Sequence, residues 1–160
     1  FDHFAKPGRD PLASAALSGH LKRNFQGFTD DQATNLIGLG TSAISAFPHL
    51  IVQNEKNSGR YRMRAVAGHL VTERGIRRSA DDRFRGEIIE ALLCRGEAHV
   101  SPCLLAGMRR DLQPFIDRGL ADLHNGRVLI SADGLPYVRT IAALFDPYRR
   151  QSTRRFSSAV

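Results

Sequence analysis

Residues 24–45 read Asn24-Phe25-Gln26-Gly27-Phe28-Thr29-Asp30-Asp31-Gln32-Ala33-Thr34-Asn35-Leu36-Ile37-Gly38-Leu39-Gly40-Thr41-Ser42-Ala43-Ile44-Ser45, and after Asp31 the charge disappears. The apolar run Asn35 to Gly40 predicts a short strand. Its exit through Gly38, Gly40, Thr41, Ser42 and Ala43 carries so little side-chain bulk that another group can approach the backbone. Gly38-x-Gly40-x-x-Ala43 also has the spacing of a dinucleotide fingerprint, but the context is wrong. That motif needs a long helix next and an acid about 20 residues on. Here Pro48 biases Phe47 away from helix, and residues 58–64 contain no acid. Gly40-Thr41-Ser42-Ala43-Ile44 lacks the closing glycine of a nucleophile elbow, which argues against a catalytic Ser42.

The 160 residues allow a sizeable core, and 42% hydrophobic with 24% charged residues excludes a disordered composition. No run approaches the roughly 18 apolar residues of a membrane span and no signal peptide opens the chain, so a cytoplasmic protein without membrane contact is expected. The net charge of +7 comes mostly from arginine, since Lys6, Lys22 and Lys56 are the lysines; planar, bidentate acidic partners are favoured. Arg149, Arg150, Arg154 and Arg155 crowd a tail that reads as solvated. Cys94, His99, Cys103 and His124 lack the paired spacings of a zinc site.

Along the chain, Asp10-Pro11 caps a short first helix, and Phe47-Pro48 marks a loop. Residues 59–70 form a basic amphipathic helix, and the charged stretch Thr72 to Arg78 marks a boundary near residue 75. Ser79-Ala80-Asp81-Asp82 is a capping-box-like start to a helix bearing Phe84, Ile88, Ile89, Leu92 and Leu93, stopped at Gly96. Ser101-Pro102 opens a second helix through Leu104, Leu105, Met108 and Leu112, which Pro114 should break, leaving Phe115 to Leu120 as a third piece. Asn125-Gly126 is the tip of a hairpin over residues 123–130, and Leu135 to Phe145 closes with a helix. Helices, hairpin and closing helix make a winged-helix order. In isolation that suggests a nucleic-acid binder using Arg109, Arg110 and Arg118. Against this, residues 76–160 hold 14 arginines and 10 acids interleaved, which is no one-signed stripe.

Several of these segments, taken in order, resemble oxygen-independent coproporphyrinogen III oxidase, the radical S-adenosylmethionine family of haem synthesis. They are Asn24-Phe25-Gln26-Gly27-Phe28-Thr29, Leu36-Ile37-Gly38-Leu39-Gly40-x-Ser42-Ala43-Ile44-Ser45 and Gln53-Asn54-Glu55-Lys56. Arg74-Gly75, Ser79-x-Asp81-Asp82-x-x-Arg85, Asp2-His3-Phe4-Ala5, Ile141-Ala142, Phe145-Asp146-x-Tyr148 and Phe156-Ser157 extend the likeness. It implies an α/β plus α+β fold class: residues 1–75 as the last part of a partial (β/α) barrel, and residues 76–160 as a helical, winged-helix-like C-terminal domain over its mouth. It also implies oxidative decarboxylation of two propionates of coproporphyrinogen III to vinyls. The family does this with S-adenosylmethionine, a 4Fe-4S cluster held by CxxxCxxC and an electron donor. Neither Cys94 nor Cys103 belongs to that motif, so the cluster ligands lie outside the chain. With Phe1 in place of an initiator methionine, the chain is expected to be a C-terminal fragment, inactive without the missing N-terminal barrel half.

By the same resemblance Ile44 aligns with a position that contacts S-adenosylmethionine, and Phe25 and Gln26 align with positions near the cofactor; no catalytic residue or metal ligand is assigned. Arg23, directly before the Asn24-Phe25-Gln26 loop, is the candidate for a propionate contact. The residues themselves leave other roles open: Ile44 as core, Gln26 as a loop polar group, Arg23 as a solvated neighbour of Lys22. Two departures, Arg95-Gly96 for an Asn-Phe pair and Tyr61-Arg62 for paired tyrosines, leave room for a related radical enzyme with another tetrapyrrole substrate or a haem-chaperone relative. The intact NFQGF and SAIS segments point to the oxidase.

Overall fold

The computed structural model describes residue 6 and residues 8–149. Asp2 to Ala5, Arg150, Arg154, Arg155 and Phe156-Ser157 lie outside the described residues. In chain order the elements are α1 (Pro11–Leu17), β1 (Lys22–Arg23), β2 (Phe28–Thr29), β3 (Ile44–Phe47), β4 (Leu50–Asn54), α2 (Ser58–Val66), β5 (Thr72–Arg77), α3 (Ala80–Arg95), β6 (Glu97–His99), α4 (Pro102–Ile116), β7 (Ala121–His124), β8 (Arg127–Ile130) and α5 (Val138–Ala142). The chain is mixed α/β with small antiparallel sheets, ordered β1-β2, β3-β4-β5 and β6-β8-β7. It divides into two compact units, one of residues 32–84 and one of residues 1–31 with 85–160.

In the second of these, local chemistry sets each boundary. Asp10 accepts from the Leu12 amide at 2.8 Å and Pro11 takes the first turn of α1. The core joins Ile88, Ala91 and Leu92 of α3 to Met108 and Leu112 of α4, Ala98, Val100 and Val128 of the sheet and its flank, and Ile141, Ala142 and Phe145 at the end. Both helices thus bury most of the faces their periodicity indicates, although Phe84 at the start of α3 stays exposed. At the 125–126 turn, Asn125 (φ 48°) and Gly126 (φ 75°) place two left-handed residues in succession, the geometry that matches strand twist.

Two expectations fail in this unit. Pro114 does not break α4, which runs on to Ile116. So near the C-terminal end a proline removes a single helical bond, and the Asp117 amide still reaches the Gln113 carbonyl at 2.9 Å while Leu112, Phe115 and Ile116 pack on the core. The expected third helical piece is instead a turn in which the Leu120 amide donates to the Phe115 carbonyl at 2.9 Å around Gly119 (φ 67°). A strand not foreseen, β6, pairs Glu97↔Leu129 and Ala98↔Val128. At three residues it is too short to show a period.

In residues 32–84, α3 begins as its cap signals: the Ser79 amide donates to Asp82 Oδ2 at 2.8 Å and the Asp82 amide to Ser79 Oγ at 3.1 Å, reciprocally. The strand expected at Asn35 to Gly40 is absent. Leu36 makes one isolated bridge to Ala46, and Ile37 and Leu39 stand exposed. The strands lie later, β3 and β4 joined by a turn at Pro48-His49, so Phe47 is strand rather than loop. Thr72 to Arg77, read as a charged connector, is a third strand paired to β4. Every residue of β5 is exposed, which leaves no hydrophobic alternation to read.

Candidate functional site

The Asn24 to Thr29 segment is a tight hairpin whose turn is built by one side chain. Asn24 Oδ1 accepts from the amides of Gln26 (2.8 Å) and Gly27 (3.2 Å), and the Asn24 amide donates to the Gly27 carbonyl at 2.9 Å. Gly27 sits at φ 150°, where a side chain is strained. The turn therefore presents Phe25 and Gln26 outward, with Phe25 and Phe28 each about half exposed. The Arg23 guanidinium lies 5.6 Å from the centre of the Phe28 ring, within cation–π range, and the Arg23 amide donates to Glu90 Oε1 of α3 at 3.0 Å. A fixed base under an exposed aromatic and amide tip is what a ligand-contacting loop requires.

The unit of residues 32–84 positions Ile44. Opposed residues of an antiparallel pair share a face. Ile44↔Gln53 and Gln53↔Arg74 therefore form one row, and Ala46↔Ile51 with Ile51↔Ile76 form the next. Ser45 and Asn54 point the other way, where they hold the glycine segment. The Gly38 amide donates to Ser45 Oγ at 3.0 Å, Asn54 Nδ2 donates to the carbonyls of Gly38 (3.1 Å) and Gly40 (3.0 Å), and the Gly40 amide donates to Tyr61 Oη at 3.1 Å. Past the Leu36–Ala46 bridge, the backbone groups of Gly38 and Gly40 are thus paired by side chains rather than by a strand ladder. A Cβ at Gly38 would press on the Ile44 carbonyl, its carbon only 2.8 Å away, so glycine alone lets this segment lie against Ile44.

Glu55 anchors the arrangement from below. Its buried carboxylate accepts from the Asn57 amide at 2.8 Å and pairs with Arg60 Nε at 3.3 Å, while its carbonyl accepts from the Ser42 amide at 3.0 Å. The Asn57 N–H holds the carboxyl below the ordinary carboxylate range against the opposing effect of burial, with Arg60 and Arg64 assisting.

Arg23, Phe25 and Gln26 share one hairpin, and Ile44 belongs to the other unit. Five residues that the sequence reading gave no role, Ser45, Asn54, Glu55, Tyr61 and Gln53, organise the surroundings of Ile44. The signal available for them was their occurrence in the SAIS and QNEK segments and beside them. Cysteine chemistry is poorly served: Cys94 is half-buried with its thiol pushed up to about 11, chiefly by burial, and Cys103 is exposed. Among the described residues no three or more His, Cys, Asp or Glu side chains gather to hold a metal. These residues do not fit an iron–sulfur cluster.

No protein-family model matches the chain. The structure is similar to that of coproporphyrinogen III oxidase from Escherichia coli, a radical SAM enzyme, with a TM-score of 0.84 and 34% identity over 92% of this chain and 36% of that one. The likeness, in backbone and in sequence, is thus to part of a radical SAM enzyme. Oxygen-independent coproporphyrinogen III oxidase from Paracoccus denitrificans is 40% identical over 92% of this chain and 34% of its own length. That from Bradyrhizobium diazoefficiens is 36% identical over 99% of this chain and 37% of its own length. The chain is homologous to oxygen-independent coproporphyrinogen III oxidase, and it spans about a third of the length of the relatives it matches.

Proposed function

We propose that this chain works as the C-terminal portion of an oxygen-independent coproporphyrinogen III oxidase. In that reading residues 1–75 are the last part of its partial barrel and residues 76–160 its winged-helix-like C-terminal domain. The observation that carries it is a likeness in sequence and backbone over nearly the whole chain to enzymes of that name. The αβαββ order of α3, β6, α4, β7 and β8 supports the winged-helix description. A cytoplasmic setting belongs to the same reading; among the described residues no helix is long and apolar enough to cross a membrane.

The substrate is coproporphyrinogen III, two of whose propionates become vinyl groups, and the partners are S-adenosylmethionine, an electron donor and the N-terminal barrel half. S-adenosylmethionine, when bound, supplies the radical chemistry. Ile44 fits a contact with it, because its side chain lies on a sheet face that the glycine segment does not cover, offering an apolar surface beside the polar Gln53. Phe25 and Gln26 offer an aromatic face and an oriented amide from a rigid turn, and Arg23 a fork for a propionate. The 4Fe-4S cluster is held by residues outside this chain, and no step is assigned here to Cys94 or Cys103.

The test is anaerobic reconstitution of the full-length protein with iron and sulfide, followed by assays of S-adenosylmethionine cleavage and of porphyrinogen decarboxylation. Both activities are expected. A full-length sequence without an upstream CxxxCxxC, or a reconstituted cluster that leaves the porphyrinogen unchanged, refutes the reading.

A further inference from the structure

The open face that carries Ile44 holds an arginine in an unusual setting. Arg74 Nε donates to Gln53 Oε1 at 2.9 Å, and Nη2 donates to the same oxygen. Gln53 is itself fixed, because its Nε2 donates to the Ser42 carbonyl at 2.9 Å. The amide thus occupies one edge of the guanidinium and leaves the Nη1–Nη2 edge open, the edge that binds a carboxylate with two parallel bonds. Arg60 and Arg127 pair with Glu55 and Glu97, whereas among the described residues no carboxylate meets Arg74. A neutral partner orients the group without neutralising it. Beside it Ile44, Ile51 and Ile76 line a depression of about 240 Å³. Pockets that enclose drug-sized ligands measure roughly 300–1,000 Å³, so this one accepts an arm of a ligand rather than a whole tetrapyrrole.

We propose that Arg74, oriented by Gln53 at the end of the Ile44–Ile51–Ile76 floor, is a binding site for a carboxylate borne on an apolar arm. This deepens the oxidase reading and rests on it for the identity of the ligand. The same chemistry has two sources there, a propionate of the porphyrinogen and the carboxylate of S-adenosylmethionine. Lysine does not replace this arginine, because an ammonium cannot hold Gln53 on one edge and two carboxylate oxygens on the other.

The full-length protein, labelled at its isoleucine δ-methyl groups, is titrated with hexanoate and with hexanamide while the Ile44, Ile51 and Ile76 resonances are followed. Hexanoate is expected to shift all three saturably. Its affinity falls about tenfold or more in Arg74→Gln and nearly as far in Arg74→Lys, and hexanamide binds the wild type no better than hexanoate binds Arg74→Gln. Unmoved methyls, or hexanoate binding unaffected by Arg74→Gln, overturn the proposal. Coproporphyrin III and S-adenosylmethionine then identify the source. A loss of about tenfold or more for the porphyrin alone assigns a propionate. The same loss for S-adenosylmethionine, with its decarboxylated analogue unaffected, assigns the cofactor carboxylate. Both affinities unchanged overturn a role for Arg74 in the oxidase. A wild type that takes hexanoate at Arg74 but binds neither natural ligand refutes the oxidase reading and leaves the carboxylate site standing.

Discussion

Asn54→Ala tests how the glycine segment is held. The buried Asn54 amide gives both of its N–H groups to the carbonyls of Gly38 and Gly40, at 3.1 and 3.0 Å. A net contribution of about 1 kcal/mol per bond makes the pair worth about 2 kcal/mol, or roughly thirtyfold in a local opening equilibrium. Opening releases the Gly40 amide from Tyr61 Oη and the Ser42 amide from the Glu55 carbonyl, so both become reporters. Native-state hydrogen exchange of the full-length variant should show protection of these amides reduced by about thirtyfold, with the Leu92 and Leu112 amides of the other unit unchanged. Asn54→Asp should lose more than Asn54→Ala, because it turns a carboxylate oxygen toward two carbonyl oxygens. Unaltered protection in Asn54→Ala, or an Asp variant as protected as wild type, refutes the assignment of the clamp to those two bonds.

Glu55, whose folded pKa is depressed below its ordinary value of 4.5, contributes stability that is fully present above pH 4.5 and is lost as pH falls through the lowered pKa. Acid titration of local stability in residues 32–84 should therefore show a component that Glu55→Gln abolishes. Phe145, fully buried in the α3–α4 core, should cost about 3–5 kcal/mol when replaced by alanine, measured by denaturant unfolding. Gly38→Ala forces a Cβ onto the Ile44 backbone and should cost about 1–3 kcal/mol as overpacking, read as lost exchange protection at the Gly38 amide. On the proposed function, Ile44→Ala in the full-length protein should mainly weaken S-adenosylmethionine binding, and Arg23→Ala should raise the apparent KM for the porphyrinogen; unaltered porphyrinogen kinetics would remove Arg23 from the proposed site.

Local, short-range chemistry was legible in the chain. Asp10-Pro11, Ser79 with Asp82, Ser101-Pro102 and Asn125-Gly126 act within a turn of backbone, and the faces of α3 and α4 repeat often enough to declare themselves. The order of the Asn-Phe-Gln-Gly-Phe, Ser-Ala-Ile-Ser and Gln-Asn-Glu-Lys segments also carried the family resemblance, since order over the whole length is a sequence property. What tertiary structure decided is where unlike segments meet. Apolar residues 36–40 look like a strand, yet only Leu36 pairs with β3, while Ser45, Asn54 and Tyr61 hold the backbone of Gly38 and Gly40 from 7 to 21 positions away, and Ile37 and Leu39 are left exposed. The fully exposed β5 became a strand because β4 offered it backbone partners, which no side-chain pattern records. Only that pairing sets Arg74 beside Gln53 and Ile44, because register places residues distant in sequence on one face of a sheet.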